Sequence, residues 1–393
     1  MKKTLFSFVL AAILVLATIS IAAAELKLGW WVNVSTGKGR LAGYAANGMN
    51  FMHINVATYY SPAEINAFLN EANALGIQAS ISLTRTENCS YPWTAAQVQN
   101  FVNAIKNHPA VWGWYLADEP ELGPSGVHTY LATNPGYYPA VKSADPNHPV
   151  WLVFSGRAQS GWNDVTDIVA IDTYPSYGAA EFENSQVRYS YDTWKSGHEY
   201  AEANKKGPFI AVVQGFGGGH GLWDDITFAE ERYHVFTAVV TGVQRILFWC
   251  EEWADTDTTR PYTLNLVGQM MRELSSMKVE MGNGITNDPK ITVSQPASNL
   301  VYRYGVNGNR HVILAVNIAN RTSISGQALS NVQFTLPSGV RPSQVEVLNE
   351  GRTLPVTNGV FTDNFNRFGV HAYSFVTGTS YTLSPPTGLR MMP

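Results

Sequence analysis

From residue 25 to about residue 279, short apolar runs alternate with stretches whose apolar positions repeat at helical spacing. The runs cover residues 26–32, 51–57, 77–83, 111–116, 150–154, 168–171, 209–213 and 243–249, and each reads as a strand. The intervening helices carry start signals. Ser61-Pro62-Ala63-Glu64 is a capping box with proline at the first helical position, followed by Ile65, Phe68, Leu69 and Ala72 at i, i+3, i+4 and i+7. Thr94 and Gln97 repeat the device ahead of Val98, Phe101, Val102 and Ile105, and Thr227 and Glu230 do so before Tyr233, Phe236 and Val240. Gly76, Gly207 and Gly242 stand where helices should stop. Eight such units over residues 25–278 predict an α/β fold, a (β/α)8 TIM barrel, whose usual size is roughly 250 residues. The competing doubly wound sheet would carry a glycine-rich phosphate turn after its first strand. Here that strand runs into Trp30-Trp31-Val32-Asn33, and Gly37-Lys38-Gly39-Arg40 is too short a match.

Past residue 281 the helical period vanishes. Val293 and segments 300–303, 311–318, 332–336, 345–348 and 373–376 read as short strands split by Asn-Gly and Pro-Ser-Gly turns, which predicts a small C-terminal all-β sandwich. The expected organisation is therefore a barrel over 25–280, a sandwich accessory domain over 281–378 and a tail over 379–393. The first 24 residues combine Lys2 and Lys3, an apolar run over 5–21 and Ala22-Ala23-Ala24. That is the layout of a cleaved signal peptide, so the expected location is secreted or periplasmic; an uncleaved anchor is the alternative. No cysteine follows the run to make a lipoprotein, and no other stretch is long and apolar enough to insert stably in a membrane. Export permits a disulfide between Cys89 and Cys250, and two separate thiols fit the sequence equally well.

Composition removes other classes. Apolar residues make up 45% and charged ones 14%, which excludes a disordered or coiled-coil chain. Lys+Arg 26 against Asp+Glu 30 gives a net charge of −4 with no dominant basic patch, so nucleic acid is not an expected partner. The nine histidines show no metal spacing, and no cofactor is expected.

Barrel active sites lie at the C-terminal strand ends, so the polar residues there decide the chemistry. They are Asn33, then Arg85 among Thr84–Glu87 on strand three, Asp118-Glu119-Pro120-Glu121 on strand four, Asp172-Thr173-Tyr174-Pro175 on strand six, Gln214 on strand seven and Cys250-Glu251-Glu252-Trp253 on strand eight. Strand alternation points Glu119 the same way as Tyr115, and an acid walled by rings loses hydration and stays protonated near neutrality. A protonated carboxyl beside a second one suits protonation of a glycosidic oxygen. The plainer alternative is that Asp118-Glu119-Pro120 caps a helix.

Segment 113–120, the Asp172–Pro175 turn and the Leu247-Phe248-Trp249 strand end resemble the (β/α)8 glycoside hydrolases. The resemblance covers residues 25 to about 279 and points to the large retaining clan, whose strand four ends in Asn-Glu and whose strand seven ends in a nucleophilic Glu. It implies that Glu119 is the general acid/base and that Asp118, in the Asn position, orients the substrate. Strand seven departs from the pattern, because Gln214 cannot attack as a charged nucleophile. Three repairs are open, in this order: Glu251 or Glu252 as the second carboxylate; substrate assistance as in hexosaminidases, with Tyr174 and Gln214 holding an amide; or Asp172.

Aromatic residues reach 12%, and the rings at strand ends offer flat apolar faces for a sugar. Trp249 and Trp253, which flank the strand-eight acids, are the best stacking candidates, with Trp31 a further one; Trp112 and Trp114 read as helix-facing core. His53 reads as a core residue, and Gly217–Gly221 as a mobile lip. The expected function is an exported glycoside hydrolase cleaving a polysaccharide or oligosaccharide. Its competitors are a non-catalytic carbohydrate-binding barrel and a barrel lyase or isomerase, which would want a metal or phosphate site. The sandwich is expected to pack on the barrel as a structural accessory.

Overall fold

The structure, a computed structural model, describes residues 25–55, 57–84, 91–133, 135–175, 186–217, 226–250, 262–321 and 326–377. Eight parallel strands close into a barrel in chain order: β1 (Lys27–Asn33), β2 (Phe51–Asn55), β3 (Gln78–Ser82), β4 (Val111–Asp118), β5 (Val150–Ser155), β6 (Ile168–Asp172), β7 (Ile210–Gln214) and β8 (Arg245–Trp249). Strand β8 pairs with β1, which completes the ring. All eight predicted strands are present. The capping boxes at Ser61, Thr94 and Thr227 are formed, each with both reciprocal hydrogen bonds. Gly76 and Gly242 follow their helices at φ 71° and 102°, a backbone region that glycine enters without a Cβ penalty.

The barrel interior is packed in layers. At the floor, the guanidinium of Arg245 lies 4.4 Å over the Trp112 ring and 5.7 Å over Phe51. Above it Trp31, His53, Tyr115 and Trp151 meet, with the Trp31 and His53 rings 4.0 Å apart. His53 is buried and bonded through Nδ1 to Ser80 Oγ at 3.3 Å, and burial holds its imidazole neutral, well below its ordinary pKa. It is core, as the sequence suggested.

The expectation for Trp112 fails. Strand β4 carries a bulge between Val111 and Gly113 opposite β3, which leaves Trp112 as an extra residue and turns it into the barrel floor. Trp114 does face the helices, where its indole N–H donates to Asp145 Oδ2 at 3.0 Å.

Gly29 on β1 is required by close approach. A Cβ built there would stand 2.0 Å from the carbonyl oxygen of Phe51 on the paired strand. Gly29→Ala must push β1 from β2, and is expected to cost about 3 kcal/mol, lowering the melting temperature by roughly 5–10 °C in circular dichroism.

The C-terminal region forms two antiparallel sheets. One runs β15 (Arg352–Pro355), β14 (Gln344–Val347), β17 (Val370–Val376), β12 (Arg310–Asn317), β11 (Leu300–Asn307), β9 (Ile285–Thr286). The other runs β10 (Thr292–Val293), β13 (Leu329–Thr335), β16 (Val360–Phe365). The sequence reading missed β9, β15 and β16. On β16 an inward position is Asp363, which breaks the apolar alternation and is satisfied by Arg352 at 2.8–2.9 Å and by Tyr373 at 3.0 Å.

Along β12 the side chains divide by alternation. Ile313 and Ala315 face the sandwich core, whereas Val312, Leu314 and Val316 join the core of the barrel helices. Polar locks reinforce this junction. Arg303 of β11 is 2% exposed and donates to the carbonyls of Val239 and Val243, at the C-terminus of the Phe228–Val240 helix, and of Gly284, at 3.0, 3.4 and 3.1 Å. Burial lowers its guanidinium pKa to about 10, while the helix dipole favours a cation there. Arg232 forks onto Glu273 and also donates to the Val370 carbonyl of β17.

Candidate active site

The carboxyls of interest gather where β4 and β6 end. A second bulge, between Tyr115 and Ala117 opposite β5, makes Leu116 an extra residue. The alternation expected for Tyr115 and Glu119 is thereby shifted by one place. Tyr115 shares its face with Asp118, donating its hydroxyl to Asp118 Oδ1 at 2.5 Å. Glu119 then sits at φ 40°, a left-handed conformation that a glutamate adopts only under local constraint. Asp118-Glu119-Pro120 caps no helix; the chain makes turns, and the next helix, Val127–Ala132, begins after Gly126. Glu119 is half-buried.

Asp172 closes β6 and is 5% exposed. Its Oδ2 accepts from the Tyr174 hydroxyl at 3.1 Å, and its Oδ1 is buried without a hydrogen-bond partner among the described residues. Burial drives this carboxyl well above the usual range, and the negative charges of Glu119 and Asp118 push it further the same way; the Tyr174 bond opposes them without winning. Burial and the neighbouring charges thus favour the protonated form of Asp172. Burial first, then Asp172 and the two strand-four acids, raise the Tyr174 phenol as well, so it remains a hydroxyl donor. A fourth acid, Glu121, belongs to the group. It accepts from the Ser155 amide at 2.7 Å and is raised mainly by burial, with Glu119 contributing. The sequence places it two positions beyond Glu119 in the same motif but assigns it no role.

Rings wall the acids on the β6–β8 side. Tyr174 stacks on Trp249 at 5.4 Å and 27°, and Phe216 meets Trp249 edge-on at 5.3 Å and 86°. Trp249, at the end of β8, is half-buried, and the Trp249–Cys250 peptide is cis.

Three expected contact residues are engaged in contacts within the barrel. Trp31 is 1% exposed and offers no open ring face, because β1 turns it into the barrel against His53, Tyr115 and Trp151. Gln214 is wholly buried, with its amide nitrogen donating to the Phe216 carbonyl at 3.0 Å across the β7 turn. Asn33 caps a short helix: its Oδ1 accepts from the Ser35 amide, the Ser35 hydroxyl and the Tyr60 hydroxyl at 2.9–3.1 Å. Arg85, Cys89, Gly218–Gly221, Glu251, Glu252 and Trp253 lie outside the described residues, as do residues 1–24 and 378–393. Cys250 is buried.

No family model and no curated protein matches this chain. Solved structures do. The α-amylase of Geobacillus thermoleovorans, complexed with acarbose, superposes over 89% of this chain and 98% of its own, at TM-score 0.52 and 10% identity. A Bacteroides fragilis protein assigned as an α-galactosidase/melibiase does so over 89% and 79%, at TM-score 0.55 and 11% identity. The β-galactosidase of Rahnella sp. R3 matches 66% of this chain at TM-score 0.47 and 13% identity, and this chain spans only 56% of its length. At these identities the likeness is one of fold, the barrel followed by β-sheets that the element order already shows. What the residues do at the barrel mouth is decided by this chain's own geometry.

Proposed function

We propose that this protein is a glycoside hydrolase acting on a polysaccharide or oligosaccharide, with Glu119 as acid/base and Asp172 as the second carboxyl. The observation that carries this reading is the gathering of Asp118, Glu119 and Asp172 at one end of the barrel, where burial and the charges of the other two push the Asp172 carboxyl well above its ordinary range. Hydrolysis needs a proton on the glycosidic oxygen as the C–O bond breaks. It also needs a carboxylate beside the positive anomeric carbon, and a base for the incoming water. A group of neighbouring carboxyls that cannot all ionise supplies both forms at neutral pH. Asp172 stores the proton, and Glu119, half-exposed at the mouth, is the carboxyl able to reach a bound sugar. The proton passes from Asp172 through Glu119 to the leaving oxygen as the C–O bond breaks, leaving Asp172 as the carboxylate; water then adds to the anomeric carbon, Glu119 takes the proton that water loses, and that proton returns to Asp172. Asp118, steadied by Tyr115, orients a substrate hydroxyl, and the Tyr174–Trp249 pair walls the site with apolar ring surface. The left-handed backbone at Glu119, a conformation costing about 1–3 kcal/mol, fits a residue held for function. The sequence layout of residues 1–24 supports action outside the cytoplasm.

The test is a reducing-sugar screen over a broad polysaccharide panel, followed by a pH profile of wild type and Asp172→Asn. Asp172 acts in its protonated form and its pKa is raised, so wild-type activity should persist above the ordinary carboxylate range and fall as pH rises through that pKa. Asp172→Asn is expected to lose about 10²–10³-fold in kcat/KM, and its residual activity should lack that alkaline limb. An unchanged profile would remove Asp172 from the mechanism.

A further inference from the structure

We infer that the rings of Tyr91 and Tyr130, braced by Tyr137 and the Trp93 backbone, form a second saccharide-binding platform, which takes the glycan chain leading away from the sugar held at the acids; this rests on the glycosidase reading above. Tyr130 is 42% exposed, a large ring left in water by a chain that buries most others. It is nonetheless fixed. Its ring stacks on Tyr91 at 4.7 Å and 27°, and its hydroxyl donates to the Trp93 carbonyl at 3.2 Å. Tyr137 braces the group from beneath: it is 1% exposed, its ring meets Tyr91 edge-on at 4.9 Å, and its oxygen accepts from the Trp93 amide at 2.9 Å.

An exposed ring on a mobile stem would pay side-chain entropy on binding; one already held by a stack and a hydrogen bond has little left to lose. Its flat face and polar edge match the C–H face and hydroxyls of a pyranose. The location fits the occupant. Tyr91 and Trp93 belong to the connection that follows β3, and Tyr130 to the helix that follows β4, so the platform lies along the connections leaving the end of the barrel where Asp118 and Glu119 stand. Between Glu119 and Tyr130 the chain turns through Leu122, 67% exposed, whose amide donates to the Glu119 carbonyl at 2.9 Å. Such a site, carried on connections separate from the acids, discriminates by length: a polymer can engage both places at once and a short saccharide only one.

The experiment compares kcat/KM for a long saccharide with that for a short one of the same linkage, in wild type, Tyr130→Ala and Tyr130→Phe. The long-to-short ratio should fall about tenfold in Tyr130→Ala and stay within about threefold of wild type in Tyr130→Phe, which keeps the ring and its stack on Tyr91. An unaltered ratio in Tyr130→Ala overturns the platform, and so does an equal fall in Tyr130→Phe, which would mean that the bond to Trp93 matters and the ring does not. Migration of the folded variants through polysaccharide gels reads the platform without turnover. Weaker retardation of Tyr130→Ala supports it even if no saccharide is cleaved, which would overturn only the hydrolase reading; identical migration overturns it.

Discussion

Replacing Glu119 by Gln is expected to reduce sugar release by about 10²–10⁴-fold while the protein melts within a few degrees of wild type. The substitution is nearly isosteric, and Glu119 is half-buried at the barrel mouth, with no part in the helix-facing core. Gln can occupy the same left-handed backbone position but cannot give up or take a proton at neutral pH. It also removes one of the negative charges that raise the Asp172 carboxyl, so that carboxyl should titrate lower in the variant. Both consequences are measurable: turnover by reducing-end assay, and the pH at which the remaining activity falls. Wild-type rates in Glu119→Gln would refute its assignment as acid/base, and the carbohydrate-binding barrel without catalysis would become the better reading.

The second large effect is on folding. A chain ending at residue 284, before β9, is expected not to fold as a free barrel. Val301, Val312, Leu314, Val316, Ile318, Leu348, Phe368, Val370 and Ala372 share one core with the barrel helices. Stripping them away exposes apolar surface worth on the order of 10 kcal/mol, comparable with the whole stability of an ordinary domain of about 5–15 kcal/mol. Arg303→Met probes the same junction with the chain intact. It leaves the carbonyls of Val239, Val243 and Gly284 without their buried donor and is expected to cost about 2–4 kcal/mol by denaturant titration. A soluble truncation with a cooperative melt and full activity would show the sandwich to be dispensable.

Strand count, barrel closure and helix starts were legible because each rests on local chemistry. An apolar run must be buried, and a serine or threonine three places before Glu or Gln closes a helix end by itself. The mouth was legible in part. Placing Asp118, Glu119 and Asp172 at strand ends needed only the barrel order, and the structure brings them within electrostatic reach of one another. Side-chain direction was not legible, because a strand's period of two carries through only while the pairing is regular. Two bulges in β4 break it, sending Trp112 into the floor and pairing Tyr115 with Asp118 where alternation pointed to Glu119.

The amino-acid order by itself determined the class of fold, the two-part layout and the end of the barrel at which acids and rings accumulate, since these follow from burial patterns and from which residues trail each strand. Only the tertiary structure decided which acid is buried and pushed towards its neutral form and which rings stay in water. A carboxyl's charge depends on the water removed by neighbours distant in the chain and on other carboxyls brought beside it, and neither is written in the spacing of residues along one strand.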